Sequence, residues 1–390
     1  MLLRFLLLSL SLCFLLPAQQ AEDILIGTWN IEFLGADPKY RRDTPPRSDE
    51  DLQAIGMAVR SLGVSVIGVQ EICGEGPLEV VAAAAGPSWR SVLGTTGQWS
   101  DGKTQQGVGF LYDSSVLECL YSEELLEFPR ELEGVAVFHR KPVTGVFRHL
   151  ATGCDFRIVV VHLKAGQKSK DKAKRKAEAT HLKAWVDGLL SDPMEDRDIV
   201  IFGDFNCSYG DEPEKVFEAG GVMHYLDQQT PQPTIMHFDT PIDQFCVTTD
   251  FREVQRNSLM SHCNFRDDAA RLAFRKTYSD HFPVTMRMTP LADDDPESRF
   301  RNGAASQVLP VSGRPAKISS ASTASENGKQ EAASWRPAIG EAVDVSANGI
   351  LFRGVLVQFP VDKGWLVLTT QSGQAAFPMT SIDYIRIAKK

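Results

Sequence analysis

Apolar residues along this chain come in short β-branched runs, and four of the runs end on a polar residue at their C-terminal side. They are Ile24-Leu-Ile-Gly-Thr-Trp-Asn30, Val64-Ser-Val-Ile-Gly-Val-Gln-Glu71, Phe156-Arg-Ile-Val-Val-Val-His162 and Asp198-Ile-Val-Ile-Phe-Gly-Asp204. Each predicts a strand. Several are apolar at consecutive positions, so their sheets need cover on both faces, as in a sandwich. Between the first two runs, Leu52, Ile55, Val59 and Leu62 recur at helical spacing and predict a helix over 49–62. A second helix is predicted from about 168 to 190. Its apolar stripe (Leu182, Trp185, Val186, Leu189, Leu190) occupies the second half alone, so the basic first half must be solvated or bind something.

After Met288 the pattern lapses. Residues 290–334 are acidic at first and then rich in Ala, Ser and Gly, which cannot bury a core, and they read as a linker. From Trp335 to the end five short alternating runs return and predict a small all-β barrel similar to Src-homology-3 modules, a partner-binding unit without chemistry. At the other end, Arg4, the apolar run Phe5 to Leu16 and the stretch Pro17 to Ala21 form a secretory signal over 1–21, cut after Ala18 or Ala21. That run is shorter than the roughly 20 apolar residues a spanning helix needs. The expectation is therefore a secreted or periplasmic monomer without stable membrane insertion, its main domain covering 22–289.

Composition changes this picture in two places. Loss of the signal leaves six cysteines, Cys73, Cys119, Cys154, Cys207, Cys246 and Cys263. An even count in an exported chain favours disulfides, with Cys119–Cys154 and Cys207–Cys246 the guessed pairs among fifteen pairings. The net charge of −9 argues against a protein held on a polyanion by its overall field, yet eight basic residues and two acidic ones lie between Lys164 and Lys183. A locally basic groove remains open to nucleic acid.

The polar strand ends carry the candidate chemistry. Hydrolysis of a phosphodiester needs a cation at the phosphate, a base for water and donors for developing charge. Asn30 and Glu71 offer the oxygen donors that a hard cation such as magnesium prefers. Gly203-Asp204-Phe205-Asn206 places a carboxylate and an amide two residues apart just past a buried strand. Asp243 and the segment Ser279-Asp280-His281-Phe282-Pro283-Val284 add a histidine with two carboxylates able to fix its tautomer. His162 is the second histidine. Taken singly, each has a bland explanation as a turn or a solvated strand end. Taken together, they stand at the ends of separate strands, with 41 residues from Asn30 to Glu71, 42 from His162 to Asp204, 39 from Asp204 to Asp243 and 38 from Asp243 to His281.

Thr-Trp-Asn-Ile, Gln-Glu-Ile, Val-His-Leu-Lys, Gly-Asp-Phe-Asn, Ile-Asp-Gln-Phe and Ser-Asp-His-Phe-Pro-Val occur in an order that resembles the endonuclease/exonuclease/phosphatase superfamily, in its deoxyribonuclease I-like form, over roughly 23 to 288. The resemblance implies a four-layered α/β sandwich of two mostly antiparallel sheets between outer helices. It implies a divalent cation, Mg2+ with Mn2+ or Ca2+ as alternatives, held by Glu71, Asn30 and Asp280. His281 paired with Asp243 would be the base, His162 the acid or donor at the leaving oxygen, and Asp204 with Asn206 would orient water and phosphate. Arg130, with Lys164, would bind substrate phosphate. The pattern departs from the family where a glutamate should support His162, because Gln105 and Gln106 stand there. The expected substrate is DNA or RNA. The alternatives are a lipid headgroup or inositol phosphate, or a scaffold with a retired site.

Overall fold

The computed structural model describes residues 22–36, 40–41, 44–99, 104–263 and 267–291, and five strands between 342 and 387. The signal and the linker (apart from residues 290–291) lie outside the described residues. The chain divides into two compact units, Met1–Arg314 and Pro315–Lys390.

In the first unit, β1 (Ile24–Leu34), β2 (Val64–Ile72), β3 (Trp89–Leu93), β4 (Gly107–Asp113), β13 (Val254–Ser261) and β14 (Val284–Met288) form one sheet, in the order β13-β14-β1-β2-β4-β3. The second sheet contains β5 (Leu117–Glu124), β8 (Val143–His149), β9 (Asp155–His162), β10 (Ile199–Asp204), β11 (Met223–Tyr225) and β12 (Asp243–Thr248), in the order β11-β12-β10-β9-β8-β5. Each sheet has one parallel pair at its centre, β1 with β2 and β9 with β10, flanked by antiparallel neighbours. A parallel pair needs a crossover, and here each is a helix. These are α1 (Asp49–Ser61) in the first sheet and α3 (Ser169–Leu190) in the second. A capping box starts α1: Ser48 Oγ accepts from the Asp51 N–H, and the Ser48 N–H donates to the Asp51 carboxylate.

The continuous apolar runs divide between cores by alternation. Phe156, Ile158 and Val160 of β9, Val200 and Phe202 of β10, and Ile26 and Val66 from the first sheet meet in a core between the sheets. Val159, Val161, Ile199 and Ile201 face the other way, onto Leu182 and Val186 of α3 and Phe217 of α4 (Glu212–Glu218). Trp29, Ile67 and Val69 pack on Ile55 and Val59 of α1 and Val81 of α2 (Glu75–Ala85). Three cores between two sheets and their helices give four layers.

At Gly68 the sheets come closest. A Cβ there would lie 2.5 Å from Phe202 and 2.8 Å from Val160, both in the opposite sheet.

The guessed disulfides do not form. Cys154, Cys207 and Cys246 are buried free thiols. Cys119 stands opposite Phe147 and Phe147 opposite Phe156, so two strand spacings, about 9 to 10 Å, separate Cys119 from the strand that follows Cys154. A disulfide needs Cα atoms within about 7 Å. Cys246 lies opposite Ile201, whereas Cys207 follows Asp204 beyond the other end of the same strand. Burial holds the Cys207 thiol up at about 12, and it packs as a small apolar side chain.

In the second unit β15 (Ala342–Ala347), β16 (Ile350–Gln358), β17 (Trp365–Thr370), β18 (Gly373–Pro378) and β19 (Ile382–Ile387) form an antiparallel sheet in the order β18-β17-β16-β15-β19. Among the described residues no helix is long and apolar enough to cross a membrane.

Candidate active site

The ends of β1, β2, β9 and β10, the start of β12 and the turn before β14 meet at one rim, and hydrogen bonds cross between the sheets there. Asn30 Nδ2 donates to Asp204 Oδ2 at 3.0 Å, joining β1 to β10. His281 Nδ1 lies 2.8 Å from Asp243 Oδ2, joining the turn before β14 to β12. The Ser279 hydroxyl donates to the Asn30 carbonyl at 2.6 Å and accepts from the His281 N–H at 3.1 Å, which fixes that turn against β1.

Asp204 is the hub. Besides Asn30, its Oδ2 lies 3.4 Å from His162 Nε2 and 3.8 Å from His281 Nε2, and its Oδ1 accepts from the Asn206 N–H at 2.9 Å. Gly203 delivers it: with φ at +144° and a missing Cβ that would meet the Val161 carbonyl, only glycine lets β10 run this close to β9. Asn206 at φ +53° and Glu71 at φ +61° both sit in the left-handed region, which non-glycine residues rarely enter unless their surroundings force them. Glu71 Oε2 accepts from the Phe33 N–H at 3.2 Å, and Oε1 lies 4.0 Å from His162 Nε2. Asn206 Nδ2 donates to the Leu163 carbonyl. Thr234, which the sequence did not suggest, holds Asp243 by accepting from the Ile242 and Asp243 N–H groups.

The charges explain the pKa shifts. Burial, and then the neighbouring Asp280, raise the Glu71 carboxyl to about 7. Burial likewise raises Asp204, against the pull of His281. Burial alone would lower His281, but the carboxylates of Asp243, Asp204 and Asp280 hold it well above an ordinary imidazole. His162 goes the other way: burial, then Arg140 and His281, push it well below. Its Nδ1 is buried and has no hydrogen-bond partner among the described residues. Gln105 donates to the Gly94 and Thr96 carbonyls, and Gln106 Oε1 accepts from Trp99 Nε1 and Arg140 Nη1, so neither amide supports that ring.

Carboxylates thus crowd a buried rim, and the oxygen donors they offer fit a hard cation. Atoms of Asp204, Asp243 and His281 come within 4.8 Å of one another. Asp243 and His281 are engaged with each other, however, and that trio is built for proton handling. The oxygen donors beside it are Glu71, Asp280 and Asn30.

Arg140 corrects the expectation for Arg130. Arg130 is exposed before the hairpin of β6 (Glu131–Leu132) and β7 (Val135–Ala136), and no hydrogen bond or ion pair among the described residues ties its side chain to the gathered groups. Arg140 reaches the rim: Nε donates to the His162 carbonyl at 3.3 Å and Nη2 to the Leu163 carbonyl at 3.2 Å, and the charges of Glu71 and Asp204 act on it. The apolar run Val135-Ala-Val-Phe138 precedes it, but only Val135–Ala136 form a strand, so Arg140 sits on the loop beyond and does not stand at a strand end.

A second residue away from the strand ends is Glu178 on α3. It is 4% exposed, and its two oxygens accept from the Phe138 N–H at 3.0 Å and the Lys164 N–H at 2.9 Å. One carboxylate thereby clamps the loop carrying Arg140 to the loop that follows His162. Arg175, 1% exposed, donates to the Lys164 and Gly166 carbonyls. The inward face of the basic half-helix therefore holds backbone. Outward, Lys168, Lys170, Lys172 and Lys176 are exposed, and Lys164, half-buried, lies 3.5 Å from Asp171.

The model of the Endonuclease/Exonuclease/phosphatase family matches residues 27–281. No curated protein matches the sequence. Among solved structures, the human Nocturnin catalytic domain is 13% identical, covering 68% of this chain and 93% of its own, with a TM-score of 0.49. An endonuclease/exonuclease/phosphatase from Bacteroides vulgatus is 16% identical, with coverages of 68% and 98% and a TM-score of 0.49. The Bacteroides thetaiotaomicron mannosyl-6-phosphatase Bt3783 is 18% identical, with coverages of 67% and 98% and a TM-score of 0.48.

Proposed function

The chain belongs to the Endonuclease/Exonuclease/phosphatase family, and from that premise we propose that it is a metal-dependent phosphodiesterase whose substrate is nucleic acid. The observation that carries the substrate class is the outward lysine face of α3. It begins one short loop beyond His162, in a chain whose net charge is −9. Exposed cations gathered beside a phosphate site suit a polyanion better than a single phosphate group.

Glu71, Asp280 and Asn30 would hold the cation, most simply Mg2+, which when bound would supply positive charge to the phosphate and leaving oxygen. Arg140, fixed by Gln106 and two carbonyls, presents its guanidinium to a phosphate oxygen. His281 owes its high basicity to Asp243, Asp204 and Asp280; with a bound cation offsetting the charge of those carboxylates, its neutral ring would take a proton from water at Nε2 while Asp243 holds Nδ1–H and stabilises the imidazolium that results. Asp204, bonded to Asn30 and the Asn206 N–H, keeps one oxygen toward both imidazoles and orients the attacking water. His162, held neutral by burial and Arg140, serves as a hydrogen-bond donor at the leaving oxygen; with no carboxylate at Nδ1 it is not a strong acid. We read residues 1–21 as an export signal and the C-terminal strands as a barrel that binds a partner.

The test is one panel: purified protein with Mg2+, Mn2+ or Ca2+, offered plasmid, single-stranded DNA, RNA and sphingomyelin. Cleavage of the nucleic acids alone is expected. Cleavage of sphingomyelin alone would overturn the substrate class and leave the family standing.

A further inference from the structure

Three aromatic rings stand beside the catalytic rim and take no part in the chemistry above. Phe33 and Tyr40 stack with centroids 5.7 Å apart, and Trp99 meets both edge-on, at 5.5 Å and 5.0 Å. All three are partly exposed, whereas the core rings Phe110, Phe147, Phe156 and Phe202 are fully buried. The cluster is not needed to fill the interior. It is bonded to the site at two points. The Phe33 N–H holds the Glu71 carboxylate, and the Trp99 indole N–H donates to Gln106 Oε1 at 3.1 Å, the oxygen that also accepts from Arg140 at 2.8 Å. A cavity of about 190 Å³ adjoins Phe33, walled also by Gly35, Ala36, Arg41, Pro46 and Arg47. Two of these residues, Arg41 and Arg47, are tied to their neighbours through their guanidinium groups. Arg41 pairs with Glu32 and donates to the Arg275 carbonyl, and Arg47 donates to the Glu32 and Thr277 carbonyls.

We propose that this rim, Phe33, Tyr40 and Trp99 with the adjoining cavity, is a base-binding subsite, and that the substrate is therefore single-stranded nucleic acid. The inference rests on the nuclease reading and narrows it. Bases in a duplex already stack on each other and show only their edges, while an unpaired base offers a free π face to a ring. The placement is continuous with the phosphate site: one side of the rim fixes Glu71, the other fixes the Gln106–Arg140 pair, so a strand whose phosphate meets Arg140 brings a neighbouring base to the rings. The exposed lysines of α3 meet the backbone on the His162 side.

The experiment measures steady-state cleavage of three Mg2+-supplemented substrates: a single-stranded oligonucleotide, the same strand with abasic residues, and the duplex. Wild type is expected to show the lowest KM on the intact single strand, with KM higher on the other two by about 5- to 150-fold, the range for stacking of one base. Tyr40→Ala should raise KM on the intact strand by a factor in that range and add nothing on the abasic strand, because the partner ring is already missing there. Trp99→Phe, which keeps a ring, should keep the preference for bases. Equal KM on all three substrates in wild type overturns the subsite and needs no variant, so a Tyr40→Ala protein that misfolds does not rescue it. A Tyr40→Ala penalty of the same size on the abasic strand also overturns it. Failure to cleave any nucleic acid overturns the nuclease reading as well; cleavage indifferent to bases overturns this inference alone.

Discussion

In the first sheet a parallel pair, β1 and β2, is joined through α1 and ends in Asn30 and Glu71. In the second sheet another, β9 and β10, is joined through α3 and ends in His162 and Asp204. The frames match, with 41 residues between the first pair of site residues and 42 between the second. Their loads differ. The first frame presents an amide and a carboxylate, and its helix opens with Asp49, Glu50 and Asp51. The second presents an imidazole and a carboxylate, and its helix turns lysines outward and Arg175 and Glu178 inward. One frame used twice thus supplies a cation-holding half and a substrate-anion half, and the scissile phosphate belongs where they meet.

Removing the first half's cargo should have the largest effect. Chelation should reduce cleavage to background and added Mg2+ or Mn2+ restore it. Glu71→Gln at fixed Mg2+ should cost about a thousandfold, in line with several kcal/mol of charge stabilisation, and move the metal-activation curve to higher concentration. An unshifted curve would take Glu71 out of the cation half.

His281→Ala, at the junction of the halves, should lower kcat by about 10²- to 10⁴-fold with the melting temperature kept. Unchanged turnover would refute it as the base. Glu178→Gln sharpens the second half. Its amide nitrogen must face a backbone N–H, so one loop is released and kcat should fall by about tenfold to a hundredfold, with a smaller change in KM. A lowered melting temperature with kcat intact would mean the clamp is merely structural.

Replacing Lys168, Lys170, Lys172, Lys174 and Lys176 by Gln should flatten the salt dependence of binding, by about 0.7 in log–log slope for each single-strand phosphate that is no longer neutralised. An unchanged slope makes the face simply solvated. The smallest effect concerns pH. Glu71, raised from 4.5 to about 7, holds its proton more tightly in the folded chain. Its stabilising contribution is full below about 4.5 and is lost as pH rises through about 7. In metal-free protein the melting difference between wild type and Glu71→Gln should therefore shrink by a few degrees from about pH 5 to pH 8, and saturating Mg2+ should remove that decline. A flat difference would contradict the shift.

The halves also differ in how far sequence revealed them. Strand-end polar residues announce themselves because the apolar run before them fixes both direction and depth; this exposed Asn30, Glu71, His162 and Asp204. Asp243 and His281 could be suspected as a pair, and the structure sets them 2.8 Å apart. Glu178, Thr234 and the Trp99–Gln106 bond carried no such signal, and the run Val135–Phe138 before Arg140 stops short of it at His139. Their partners are backbone groups or amides, and a hydrogen bond to a backbone N–H leaves no residue preference at the other end. The cysteine count misled for a related reason: parity tests compartment, while pairing depends on strand register, and register separates these thiols.

The close approach at Gly68 lies three residues before Glu71, and its neighbours Val160 and Phe202 lie two residues before His162 and Asp204. Position 68 therefore acts as a spacer gauge, whose clearance is a single hydrogen atom. A methyl group there would wedge the layers and leave every reactive group chemically whole but out of reach. An activity screen would misfile such a variant as a chemical defect, and trimming Phe202 would be the suppressor that reopens the clearance.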